Sequence, residues 1–267
     1  MWIAALQTVA TPSVDRNLDT ARRLIAQAAR DGAQLVVLPE YFCFMGHHDR
    51  DKLALAETPG EGPIQAMLAE TAKQHAVWVV GGTLPLRSEQ TDRVFNASCV
   101  YSPEGVLVAR YDKLHLFRYD NGRESYDEGR VLQAGSAPVA CDVGGRRLGL
   151  SVCYDLRFPE LYRALMTPPC DLIAVPSAFT YTTGRAHWEV LLRARAIENQ
   201  CYVIAAAQGG VHENGRRTWG HSLVVDPWGE VVAVVEEGEG VAMAELDPKR
   251  LAEVRAQLPA LSHRRLC

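Results

Sequence analysis

Residues 146–163 read Arg-Arg-Leu-Gly-Leu-Ser-Val-Cys-Tyr-Asp-Leu-Arg-Phe-Pro-Glu-Leu-Tyr-Arg, and the fold turns on how this stretch is read. The apolar run Leu148 to Val152 predicts a short buried strand, with Gly149 allowing close backbone approach. The chain then changes direction at Cys153-Tyr154-Asp155. Pro159 suits the first turn of a helix, where its missing N–H costs nothing, and residues 160–163 continue that helix. A cysteine at such a corner presents its sulfur to backbone N–H groups at a helix start. Those groups favour a thiolate and can hold a developing oxyanion. On these residues alone the plainer reading, a buried apolar filler, stays slightly ahead.

Two strand ends further upstream reverse that balance. Residues 2–9 read as a strand, and Ser13 or Asp15 caps a helix with apolar positions at Leu18, Ala21, Leu24, Ile25 and Ala28, ending before Gly32. Leu35-Val36-Val37-Leu38 is a fully apolar strand closed by Pro39, and Glu40 follows at its carboxyl end, where α/β sheets place their chemistry. A loop over 41–60, a helix over 64–75 and a strand over 76–80 lead to two strands near 94–101 and 105–111, joined by Ser-Pro-Glu-Gly. Lys113 stands directly after that pair. The polar stretch 118–136 reads as a surface or lid loop.

Downstream, Gly144-Gly145 marks a hairpin between strands near 138–143 and 146–152. A buried strand over 171–176 precedes a helix over 187–199, with Trp188, Leu191, Leu192, Ala196 and Ile197 on one side. A strand over 202–207, a hairpin over 219–226 and 230–236, a strand over 240–246, a helix over 247–257 and an Arg-rich tail close the chain. Strands and helices alternate without a linker or repeat, which predicts a single α/β domain over residues 1–267, with two layers of sheet covered by helices.

Composition removes several function classes. The chain has 267 residues, 48% apolar and 22% charged, with a net charge of −4. No basic face is implied, so nucleic acid and anionic membrane are poor partners. No apolar run spans a bilayer, and the opening Met-Trp-Ile-Ala-Ala-Leu-Gln-Thr reads as a strand rather than a secretory signal. The seven cysteines are odd in number, widely spaced and without C-x-x-C. They argue against a disulfide framework or zinc ribbon and for a reducing, cytoplasmic setting, with Cys99, Cys170 and Cys201 as core thiols. The histidines form no H-E-x-x-H, and His47-His48 reads as a polar loop pair. Nucleotide-binding glycine motifs and G-x-S-x-G are missing, so neither cofactor nor metal is expected.

Glu40, Lys113 and Cys153 thus occupy comparable places, each just after an apolar strand. A thiol near neutral pH is only slightly ionised and needs a proton acceptor, and no histidine stands at an equivalent strand end. A desolvated carboxylate can take the thiol proton and return it to a leaving amine. A fixed lysine favours the thiolate and opposes charge building on a carbonyl oxygen. Taken singly, Glu40 reads as a surface carboxylate and Lys113 as a solvated charge.

The stretches Leu-Pro-Glu-Tyr-Phe (38–42), Tyr-Asp-Lys-Leu-His-Leu-Phe (111–117) and Ser-Val-Cys-Tyr-Asp-Leu-Arg-Phe-Pro-Glu-Leu (151–161) resemble the three signatures of the nitrilase superfamily. That resemblance runs along essentially the whole chain. It implies a four-layer αββα sandwich and a Glu–Lys–Cys triad that hydrolyses carbon–nitrogen bonds. By it, Glu40 is the general base, Lys113 the oxyanion-stabilising cation and Cys153 the nucleophile, with the Tyr154 N–H as second oxyanion donor. It also implies a second glutamate that orients substrate and lysine, best matched by Glu128 in Tyr-Asp-Glu-Gly, with Glu124 as the weaker match.

The Cys-Tyr-Asp-Leu-Arg-Phe-Pro-Glu-Leu stretch looks amidase-like rather than like a true nitrilase. Pro-Ser-Ala-Phe (176–179), residues 187–203, Gly-His-Ser-Leu-Val-Val-Asp-Pro-Trp-Gly (220–229) and Leu-Pro-Ala-Leu-Ser-His-Arg-Arg (258–265) resemble deaminated glutathione amidases. Those enzymes repair a glutathione by-product whose γ-glutamyl amine has become a ketone, releasing 2-oxoglutarate and cysteinylglycine. An α-keto acid substrate needs a cation near the sulfur. Arg157 is the candidate, against an equal reading as an ion pair with Glu189 or the Glu40 region. Phe179, Thr180 and Tyr181 follow a buried strand and are placed to line the same pocket. His187-Trp188 reads as structural, and the resemblance implies at least a homodimer. Rival readings are an ω-amidase acting on 2-oxoglutaramate, an N-carbamoyl hydrolase, or a non-catalytic interaction module. The intact trio speaks against the last, because an inert scaffold has no reason to keep buried charges.

Overall fold

The computed structural model describes residues 1–122 and 124–265, so Cys267 lies outside the described residues. Both faces of the first strand are buried, and that sets the layering. In β1 (Trp2–Gln7), Ile3 and Ala5 join one apolar cluster while Ala4 and Leu6 join another. Helix α1 (Val14–Arg30) begins where the Ser13 side chain accepts the Arg16 N–H, and Gly32 beyond its end has a φ of 99°. It lays Leu18, Leu24 and Ile25 on the second cluster. In β2 (Leu35–Val37) the outer two residues again face the first cluster and Val36 the second. After the short α2 (Asp51–Ala54), α3 (Pro63–His75) adds Ile64, Met67 and Leu68 to the helical layer. Helical crossovers make β1, β2 and β3 (Trp78–Val80) parallel. β4 (Leu84–Arg87), β5 (Val94–Tyr101) and β6 (Leu107–Asp112) continue the sheet antiparallel.

The 118–136 stretch is more regular than its polarity suggests. β7 (Arg118–Asp120) and β8 (Ser125–Asp127) form a hairpin, a 3₁₀ turn covers Glu128–Arg130, and β9 (Leu132–Gln133) pairs with β5. Tyr119 and Tyr126 are cross-strand partners, and Phe117 lies 5.8 Å from the Tyr126 ring. Such aromatic contacts order a hairpin that polar neighbours disguise.

The second sheet gathers β10 (Ala140–Asp142), β11 (Arg147–Leu150), β12 (Leu172–Ala174) and β13 (Tyr202–Ala205). A separate hairpin, β14 (Gly209–Val211) with β15 (Arg217–Trp219), precedes β16 (Ser222–Val225) and β17 (Val231–Val235), which complete that sheet. β18 (Gly240–Glu245) crosses back to pair with β1, and α6 (Pro248–Gln257) follows. Ile3, Val37 and Val80 of the first sheet share a cluster with Leu148, Leu150 and Ile173 of the second. The outer side of the second sheet is covered by α4 (Pro159–Ala164) and α5 (Tyr181–Asn199), through Leu161, Tyr162, Trp188 and Leu192. The order is helix, sheet, sheet, helix.

α5 begins at Tyr181, not 187, because the Thr180 side chain accepts the Thr183 N–H and caps it. His187-Trp188 therefore lies inside the helix. Ile197, expected on the buried side, is 49% exposed, whereas Trp188, Leu192 and Ala196 are buried. The expected loop 41–60 contains α2. Among the described residues, no helix is long and apolar enough to cross a membrane.

Candidate active site

Three strand ends converge. Beyond β2, Leu38 N donates to the Val80 carbonyl and Tyr41 N to the Thr83 hydroxyl, which fixes the segment carrying Glu40. Gly82 (φ 52°) is required here, since a Cβ would strike the Pro39 carbonyl. Beyond β6, Lys113 N donates to Asn96 O and its carbonyl accepts from Gly135 N. Beyond β11, Cys153 N donates to Pro176 O at 2.9 Å. Cys153 has a φ of 49°, a left-handed conformation that non-glycine residues rarely hold and that clusters at functional sites. A 3₁₀ turn runs from Cys153 to Arg157, and α4 starts only at Pro159. The N–H groups beside the sulfur thus belong to that turn, not to an α-helix start.

The side chains meet in a buried ion cluster. Lys113 Nζ, fully buried, donates to Glu40 Oε1 at 2.8 Å and to Glu128 Oε2 at 2.8 Å. Glu40 Oε1 also accepts Asn96 Nδ2 at 2.8 Å. Glu128 accepts the Tyr41 hydroxyl at 2.7 Å and the Phe117 N–H at 2.7 Å. Such a cluster persists in a low-dielectric interior only because its members are paired. Burial by itself lowers the Lys113 pKa, but the Glu128 and Glu40 carboxylates outweigh it and hold the ammonium well above the usual lysine range. Burial pushes Glu128 up, and Lys113 with its hydrogen bonds pulls it below the usual carboxylate range.

The cysteine is the reverse of what a helix start suggests. Burial first and the Glu40 carboxylate second push the Cys153 thiol well above its usual pKa, against the opposing Lys113 charge. The raised pKa keeps the resting thiol protonated beside the Glu40 carboxylate.

Cys153 opens on a cavity that Tyr154, Arg157, Phe179 and Thr180 also line. Arg157 bonds His187 Nδ1 at 3.2 Å and lies over the Phe179 ring. Among the described residues it has no carboxylate partner, and Glu189, considered for that part, sits instead at 3.5 Å from Arg193. Glu124 bonds Thr182 away from Lys113. The arrangement therefore brings Glu40, Lys113, Glu128 and Cys153 together, and leaves Glu124 outside.

The carbon–nitrogen hydrolase family matches residues 3–256. The chain belongs to that family. It is 43% identical over 265 residues to a deaminated glutathione amidase of Synechocystis sp., covering 98% of this chain and 97% of that one. The structure of the C. elegans NitFhit protein superposes with a TM-score of 0.92 at 39% identity, covering 99% of this chain and 65% of that one. A mutant amidase from Nesterenkonia sp. AN1, whose active-site cysteine carries a Michael adduct of acrylamide, matches with a TM-score of 0.81 at 29% identity, over 97% of this chain and 98% of that one.

In this carbon–nitrogen hydrolase several supporting residues escape a reading of the sequence. Asn96, in the middle of β5, reads as a polar interruption of an apolar strand. That interruption is the one signal that marked it. Tyr41 looks like an ordinary loop aromatic, and its φ of 57° is visible only in three dimensions. Gln208 Nε2 donates to the Glu40 carbonyl across 168 positions of chain. Asp155, fully buried, ties the cysteine corner to the lysine loop through Tyr111 and His115. Among the described residues, no group of three or more His, Cys, Asp or Glu is arranged to hold a metal.

Proposed function

We propose that this carbon–nitrogen hydrolase cleaves the side-chain amide of deaminated glutathione, giving 2-oxoglutarate and cysteinylglycine, through a thioester on Cys153. The observation that carries the reading is the buried Glu40–Lys113–Glu128 cluster beside the Cys153 thiol, with Arg157 in the same cavity as the sulfur. The name of the Synechocystis relative supports the substrate.

In this mechanism the thiol proton passes to Glu40 as Sγ bonds the amide carbon. The carbonyl oxygen gains the electron pair, opposite the Lys113 ammonium and the Tyr154 N–H. As the carbonyl re-forms, the carbon–nitrogen bond breaks and Glu40 returns its proton to the departing amine. Water then attacks the thioester with Glu40 again as base, releasing the keto acid and the thiol. Glu128 keeps Lys113 charged and aimed. Arg157 takes the carboxylate of the keto acid through its planar fork, with Phe179 and Thr180 as walls.

A side-by-side hydrolysis assay on deaminated glutathione and 2-oxoglutaramate, with Cys153→Ser as the blank, tests both substrate and nucleophile. Faster turnover of the first is expected. Faster turnover of the second moves the enzyme to the ω-amidase reading, and a folded Cys153→Ala variant that still turns over sinks the mechanism.

The same proposal takes residues 1–267 as one catalytic domain in a homodimer or higher homo-oligomer, within the reducing cytoplasm. Four thiols packed in apolar surroundings, Cys43, Cys99, Cys170 and Cys201, support that compartment. The assembly is supported by an apolar face on α5 and the β16–β17 hairpin, where Val190 is 66% exposed and Ile197, Trp228, Val232 and Val234 are exposed beside it. Sedimentation should give a dimer that Val190→Glu dissociates. A monomeric wild type contradicts this.

A further inference from the structure

Two cations stand over the rings of Tyr41 and Tyr126. Lys52 Nζ lies 4.8 Å from the centroid of the Tyr41 ring, and the Arg216 guanidinium lies 5.1 Å from that of Tyr126. Among the described residues, neither has a carboxylate within ion-pair distance. The carboxylates in reach are already engaged: Glu128 by Lys113, Tyr41 and the Phe117 N–H, and Glu40 by Lys113 and Asn96. Asp49, just before the α2 helix that carries Lys52, is exposed. Burial lowers the Lys52 pKa and the Arg216 charge lowers it further, against the pull of Glu128 and Asp49. Two like charges that repel each other, with no anion at ion-pair distance of either among the described residues, are an unsatisfied arrangement.

Tyr41 connects this pair to the chemistry. Its ring carries Lys52, its hydroxyl donates to Glu128, and it packs with Met45 against Ala178, which lines the Cys153 cavity. Arg216 reaches the Met45 sulfur at 3.6 Å. The cavity at Cys153 is already furnished with Arg157. With the acyl carboxylate assigned to Arg157 there, the dipeptide leaving group extends away from it. Deaminated glutathione carries a carboxylate on each side of its scissile amide. An extended dipeptide reaches about 7 Å.

We propose that Lys52 and Arg216 form a second anion subsite, which binds the terminal carboxylate of the leaving cysteinylglycine. The subsite rests on the substrate proposed above and deepens it. Arg157 reads the acyl end, and the Lys52–Arg216 pair reads the leaving end. A carboxylate between the two cations relieves their repulsion and gains charge-assisted hydrogen bonds.

The test compares kcat/KM on three substrates: deaminated glutathione, its C-terminal amide, and 2-oxoglutaramate, which shares the acyl group and has no peptide leaving group. Wild type should prefer the acid over the amide by roughly tenfold or more, the loss expected for a charged hydrogen bond. Arg216→Met and Lys52→Met should each erase most of that preference, mainly through KM. They should also lower the ratio of deaminated glutathione to 2-oxoglutaramate turnover by a similar factor. If the wild-type preference for deaminated glutathione survives in both variants, or both substrates fall equally, the subsite is wrong and the substrate stands. If wild type ignores amidation and favours 2-oxoglutaramate, substrate and subsite fall together.

Discussion

Two buried carboxylates flank the cysteine corner, and they are held in opposite ways. Glu40 receives Lys113 Nζ and Asn96 Nδ2 on a single oxygen, Oε1, and the same carboxyl group meets the Cys153 thiol. Asp155 receives two donors on each oxygen: Tyr111 Oη and Val152 N on Oδ2, and the backbone N and Nδ1 of His115 on Oδ1. A carboxylate offers about four lone-pair sites, so Asp155 is saturated. It accepts a proton only by giving up a bond the fold depends on. Glu40 has both of its donors, Lys113 and Asn96, on Oε1 and keeps capacity on Oε2. That contrast supports the base role proposed for Glu40 and not for Asp155. The partner in the saturated shell is itself clamped, since the His115 ring stacks on Phe158 at 3.7 Å.

This contrast can be broken by exchanging the charge at each site. Glu40→Gln removes the proposed proton acceptor and should lower kcat by about 10²–10⁴-fold, the usual worth of a general base. Its denaturation midpoint should fall less than that of Asp155→Asn. Turnover near wild type in Glu40→Gln would end the assignment. Asp155→Asn turns an amide N–H₂ toward donors that had acceptors. It should cost roughly 3 kcal/mol of unfolding free energy in urea titration, at about 1–3 kcal/mol for each buried donor left unpaired. If that variant instead keeps its stability and loses turnover outright, the two carboxylates share the chemistry and the contrast is false.

The smallest effect sharpens the comparison by pH. The folded Cys153 thiol holds its proton more tightly than an unfolded one. Iodoacetamide should therefore modify it slowly near neutrality and faster only above the ordinary thiol range. By the same linkage, the folded state binds the extra proton there, so this group's contribution to stability declines as pH rises past the unfolded thiol's pKa. Burial contributes most to the shift and Glu40 next, so Glu40→Gln should move the alkylation midpoint to lower pH. Asp155→Asn should leave it where it was. A midpoint unmoved in Glu40→Gln would mean that the carboxylate does not act on the sulfur.

Much of this was legible in the chain because strands with both faces buried must be apolar throughout. Leu35 to Leu38 and Leu148 to Val152 could be recognised, and the polar residues just beyond them stood out. The 118–136 stretch was misread because its order comes from Phe117, Tyr119 and Tyr126 meeting across a hairpin, among neighbours that look like a loop. The start of α5 was missed because Thr180 and Thr183 carry the cap ahead of any apolar periodicity. Ile197 followed the helical pattern yet faces outward, because the pattern records an apolar face without saying what covers it. Lys52 and Arg216 have no local signature at all.

The sequence alone determined the alternation of strands and helices and the three strand ends that carry Glu40, Lys113 and Cys153. Both follow from short-range rules of side-chain period and backbone restriction, which act within a few residues. Only the tertiary structure decided which carboxylate is saturated and which is open, that Glu128 rather than Glu124 reaches Lys113, and that the thiol rests protonated. Those outcomes depend on desolvation and on charges brought within 3 Å across 73 positions of chain, as in the Lys113–Glu40 contact at 2.8 Å. No local rule acts over that separation.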